Sequence, residues 1–120
     1  MLEKVLHTIK SDKLTAYAVW EPILRTDDER SSRKATTLLP DARVHHYWVG
    51  SQQVGTQFQP AIGLTTEPAW DVYLVYRRGR GWDGAPPKPD YFMHQLSGRL
   101  PDDRVLDAAV LAEHIRTFMK

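Results

Sequence analysis

The chain predicts an α/β domain with a largely parallel sheet and an antiparallel edge towards its C-terminus. Two observations carry that prediction. Apolar, aromatic-rich runs of strand length at 14–20, 43–49 and 70–76 are separated by segments with helical features. Strands divided by helices pair in parallel. The third run is then followed, across a Gly- and Pro-rich turn and with no helix between, by another apolar run at 91–96. That is the pattern of a hairpin.

Each element follows from its residues. Leu2, Val5, Leu6 and Ile9 recur at helical spacing against Glu3, Lys4, Lys10 and Asp12, which predicts a short amphipathic helix over 2–11. The run 14–20 is almost wholly apolar, as in a strand covered on both faces, and Pro22 ends it. Thr26 or Asp27 caps a helix whose first turn carries Asp28 and Glu29, where carboxylates favour the helix dipole, and Pro40 closes it after Leu39. After the strand 43–49, Gly50 and Ser51 open a helix through Val54, Phe58 and Ile62, weakened by Gly55 and Pro60. Residues 63–68 connect to the strand 70–76, which sets Trp70, Val72, Leu74 and Tyr76 on one face. Arg77 to Gly84 and the prolines at 86, 87 and 89 make the turn. Leu106, Val110, Leu111, His114, Ile115 and Phe118 give a C-terminal amphipathic helix. Alternation and the helical stripe aim Tyr17, Val19, Val72, Leu74, Ile115 and Phe118 into the core.

Composition narrows the function classes. A chain of 120 residues, 42% hydrophobic and 26% charged, makes one domain, 1–120, able to bury a core without staples. Sixteen Lys plus Arg against fifteen Asp plus Glu give +1, a balance that argues against nucleic-acid binding. No apolar run approaches the ~20 residues that cross a bilayer. The N-terminus has no secretory pattern, so no membrane association and a cytoplasmic location are expected.

The order of elements resembles the thioredoxin-like superfamily. The buried strand 14–20, the helix and strand inserted over 27–49, and the helix–Gly–Pro–strand passage from Phe58 through Gly63 and Pro68 to Tyr76 carry the resemblance. Phrases around Arg43-Val44-His45-His46-Tyr47-Trp48 and Ala69-Trp70-Asp71-Val72-Tyr73 are similar to bacterial thioredoxin-like proteins. The resemblance implies three layers, α/β/α, around one mixed sheet with a late antiparallel hairpin, and a proline before its third core strand, at Pro68. It also implies a first strand and a Cys-x-x-Cys helix start, neither of which this sequence has. With no cysteine at all, the family's usual thiol–disulfide exchange is excluded.

Candidate sites are few. Trp20 and Trp48 end parallel strands at their carboxyl edge, where open α/β sheets bind ligands. With Glu21, Pro22, Pro68 and Trp70 they form the expected binding face for a protein or a small molecule, without catalysis. Thiol-independent catalysis by Glu21 or His46 is the alternative, as is the remnant of a redox protein. His45 and His46 are adjacent in a strand and point to opposite faces, so they do not chelate one ion. Neither a metal nor a cofactor is expected. The acidic groups at 27–29 and 102–103 fit helix starts better than acid–base pairs, and Arg77, Arg78, Arg80 and Trp82 fit a charged turn. Without the family's first strand, either 14–20 pairs directly with 70–76 or a second subunit covers the exposed apolar edge, so a homodimer is expected.

Overall fold

Segments rich in β-branched and aromatic residues form the strands, and the amphipathic segments form the helices. The computed structural model describes residues 2–20, 41–65, 69–79, 81 and 84–119. In chain order they form α1 (Leu2–Thr8), β1 (Ala16–Trp20), β2 (Val44–Trp48), α2 (Gln53–Ile62), β3 (Val72–Val75), β4 (Tyr91–His94), a 3-10 turn (Asp102–Arg104) and α3 (Ala108–Phe118). The helix expected over 26–39 lies outside the described residues.

The single mixed sheet does not form among these residues. Two two-stranded sheets take its place: β1 with β2 in parallel and β3 with β4 antiparallel. The direct pairing of β1 with β3 does not occur. Hydrogen-bond phase explains how β1 ends as an edge. The Ala16 N–H donates to the Arg43 carbonyl at 3.0 Å and the Trp20 carbonyl accepts from Val49 at 2.8 Å. In a parallel ladder, alternate residues direct both backbone groups to the same neighbour. Ala16, Ala18 and Trp20 therefore serve β2, and Tyr17 and Val19 direct theirs to the other side, where no described strand receives them.

The hairpin is the central layer. On one face, Tyr91 and Met93 of β4 pack with Val5 of α1, with Ile9 just after it, and with Leu111, Ala112 and Ile115 of α3, joined by Tyr73 and Val75. On the other, Val72, Leu74 and Phe92 pack against Ile62, Leu64 and Leu96, with Phe58 and Trp70. Alternation in both strands accounts for the division, since Tyr73 faces Met93 in register and Leu74 faces Phe92. Gly63 ends α2 with φ of 74°, a left-handed closure that favours glycine.

Arg43 fastens the β1–β2 sheet to this core. Its guanidinium donates to the carbonyls of Leu6, Ile9 and Ser11 at the end of α1 and to both carboxylate oxygens of Asp41. The bond to Leu6 satisfies an orphan carbonyl in the last turn of α1, and those to Ile9 and Ser11 hold the chain just beyond it.

Several boundaries differ from the sequence reading. β1 is not covered on both faces: Tyr17 is 67% exposed and Val19 43%, so neither belongs to the core. Ile115 is buried as expected, and Val72, Leu74 and Phe118 are half-buried. Trp70 precedes β3, because Asp71 breaks the strand with a left-handed φ of 50°. Asp102 and Asp103 open the 3-10 turn, and the cap of α3 is Asp107, which accepts from Ala109 at 3.0 Å and Val110 at 3.2 Å.

Candidate functional site

The two faces of the β1–β2 sheet differ in chemistry because the sequence alternates. Tyr17 and Val19 of β1 and His45 and Tyr47 of β2 point outward, since Tyr17 pairs with His45 and Val19 with Tyr47 in register. Tyr17 stacks on His45 with ring centres 5.4 Å apart and on Tyr47 at 6.3 Å. Tyr47 is 52% exposed. The result is a largely aromatic strip lying on the surface, without Lys, Arg, Asp or Glu. Its tyrosines present a flat apolar body with a polar tip, the amphipathic form favoured at interfaces.

The inward face holds Ala16, Ala18, Trp20, Val44, His46 and Trp48. The Trp20 indole N–H donates to His46 Nδ1 at 3.1 Å, with the two rings nearly parallel. A neutral imidazole that accepts at Nδ1 carries its proton on Nε2. That Nε2 is buried and has no partner among the described residues. An unmet buried donor is costly, so His46 is the most unusual polar group of the sheet.

Of the expected binding face, Trp20, Trp48 and Trp70 are among the described residues. Trp20 and Trp48 stand opposite each other at the sheet's end, both half-buried. Trp70 packs, half-buried, against the Ile62, Leu64 and Leu96 cluster of the β3–β4 sheet. Glu21, Pro22 and Pro68 lie outside the described residues. His45 and His46 take opposite faces, as strand geometry requires. His94 sits in the other sheet, fully buried, with Nδ1 accepting from Leu96 N–H at 2.9 Å and Nε2 2.7 Å from the Pro101 carbonyl. It is a satisfied structural histidine. Among the described residues no group of three or more His, Cys, Asp or Glu side chains could hold a metal ion.

The charged groups serve the fold. Hydrogen bonds from Arg43 lower the Asp41 carboxyl to about 2. Desolvation raises the Asp71 carboxyl, and burial, with the neighbouring Asp71 charge, raises the Tyr73 phenol. Arg77 lies over the Phe118 ring at 4.7 Å and Arg104 over Tyr91 at 4.5 Å, which commits both guanidinium groups to protein rings. Arg80 and Trp82 lie outside the described residues. No described helix is long and apolar enough to cross a membrane.

Sequence reasoning placed Tyr17 in the core, read His45 and His46 as surface or packed histidines, and did not weigh Tyr47 as surface. A usable signal was present: Ala16 and Ala18 share one face, while Tyr17, His45 and Tyr47, each with a polar atom at its tip, share the other. Comparison with protein-family models, curated proteins and solved structures finds no match to this chain. The architecture is thus a small mixed α/β fold, and without cysteine it is not a thiol–disulfide oxidoreductase.

Proposed function

We propose that the chain is a non-catalytic domain on a thioredoxin-like plan that binds a protein through the outward face of β1 and β2. The exposed row of Tyr17, Val19, His45 and Tyr47 carries the reading. Contiguous apolar surface on a small domain marks an interaction site, and tyrosine is enriched in such surfaces. The surface lies beside the strand end rather than on it, because the indole N–H of Trp20 is held by His46.

A partner retained by the immobilised chain is purified and its Kd measured. Tyr17→Ser with Tyr47→Ser weakens that Kd by at least about tenfold, as the loss of two interface aromatics requires. An unchanged Kd contradicts the reading. Loss of binding on His46→Gln alone moves the site to the strand end.

The unmet Nε2 of His46 favours a second reading, thiol-independent catalysis at the inward face. A small molecule that perturbs the His46 ring resonances and leaves those of His45 unchanged would support it.

A further inference from the structure

We propose that the first partner of this surface is a second copy of the chain, added along the edge of β1 that no described strand covers, to make a continuous sheet in the order β2–β1–β1–β2. The proposal rests on the reading of the outward face above and names its assembly.

Natural sheets protect an edge with lysine, proline, a bulge or inward charge. β1 reads Ala-Tyr-Ala-Val-Trp and has none of these residues. Tyr17 and Val19 direct their N–H and C=O groups to that edge, where no hydrogen bond to a described residue meets them. A two-fold axis permits a strand to pair with its own copy only in antiparallel fashion. The phase of β1 fixes where the axis falls. Tyr17 and Val19 are the residues whose backbone groups meet no partner among the described residues, so each exchanges hydrogen bonds with the other residue's copy, and the axis passes beside Ala18.

Side chains fit that register. On the outward face Tyr17 meets the second copy's Val19, an aromatic against a β-branched residue, which is a favourable cross-strand pair. On the inward face Ala16 meets the second copy's Trp20, small against large, and Ala18 meets itself. No charge opposes a like charge, because the strand carries none. Pairing also doubles the outward aromatic strip into one platform of two symmetric halves.

The absence of cysteine makes the test specific, since Ala18→Cys supplies the chain's only thiol. Facing residues of a non-hydrogen-bonded antiparallel pair have Cα atoms about 4.5 Å apart, within the ~4.4–6.8 Å that a disulfide spans. Under mild oxidant the Ala18→Cys chain should form a covalent dimer at least about tenfold faster than Val110→Cys, placed on the exposed face of α3, because pairing raises the local thiol concentration. Light scattering at micromolar concentration should give a dimer for the unaltered chain. Tyr17→Lys with Val19→Lys sets like charges across the axis and should give a monomer, and Tyr17→Glu with Val19→Lys sets opposite charges there and should restore the dimer. A monomeric unaltered chain, equal oxidation rates for the two cysteine variants, or indifference to the charge pairs overturns the proposal. A monomer whose Tyr47→Ser variant still loses its purified protein partner overturns only the edge pairing and leaves the outward face as the binding surface.

Discussion

Replacing His94 by leucine should remove a tie between β4 and the loop that follows it. His94 is 0% exposed, and both ring nitrogens are used: Nδ1 accepts from the Leu96 amide at 2.9 Å, and Nε2–H donates to the Pro101 carbonyl at 2.7 Å. Leucine has similar bulk, so little cavity forms and the polar losses dominate. The Leu96 amide is buried at a residue only 1% exposed, and leaving it unpaired costs about 1–3 kcal/mol. Pro101 is exposed, so its carbonyl regains water and the loss there is the net value of one hydrogen bond, about 0.5–1.5 kcal/mol. The sum is about 1.5–4.5 kcal/mol. With a urea m-value of about 2 kcal/mol/M for a domain of this size, the unfolding midpoint should fall by about 1–2 M. His94→Asn places its amide oxygen where Nδ1 stood, keeps the Leu96 contact and should cost about half as much. A His94→Leu midpoint within about 0.3 M of the unaltered chain would mean that neither bond contributes as described.

Other substitutions separate the remaining forces. Ile115→Ala, in the cluster shared by α1, α3 and β4, should cost about 2–4 kcal/mol in chemical denaturation, and half-buried Leu74→Ala should cost about 2 kcal/mol. Losses below about 1 kcal/mol at both would misplace the core. Asp71→Asn should raise Tm at neutral pH, because the amide carries no charge to desolvate and asparagine tolerates the left-handed φ of 50°. The gain should shrink as acid protonates the aspartate, since a raised carboxyl destabilises only while it is ionised. Asp41 has the opposite sign: its depressed carboxyl stabilises the fold above its ordinary 3.8, and that contribution is lost as pH falls to about 2. The stability difference between the unaltered chain and Asp41→Asn should therefore vanish across that interval in acid titration.

Strand positions were legible because apolar runs broken by Pro22, Gly50 and the 77–89 turn leave little choice of element. Parallel pairing of β1 with β2 followed from the helix expected between them. The outward exposure of β1 did not follow, because Ala16, Ala18 and Trp20 alternate with Tyr17 and Val19, and both sets are apolar enough for a core. The register against β2 decides between them by placing His45 and Tyr47 beside Tyr17 and Val19. The division into two sheets was likewise hidden, since pairing is a long-range choice that no local pattern fixes. Trp70 fell away from the strand because a left-handed backbone at Asp71 has no strong sequence signal, aspartate being only enriched there. The cap Asp107 was masked by the more conspicuous Asp102 and Asp103. The tie between Trp20 and His46 joins residues 26 apart in sequence and arises only when the two strands are aligned.

Backbone amide exchange along β1 reports directly on whether its edge is the working surface. Ala18 and Trp20 donate to β2 in every state, and Tyr17 and Val19 donate only when a further strand pairs with the edge. At concentrations that favour assembly, all four amides should be protected. On dilution, Tyr17 and Val19 should lose protection while Ala18 and Trp20 keep theirs. Uniform exchange along the strand at every concentration, or fast exchange at Tyr17 and Val19 even when concentrated, would contradict assembly through β1.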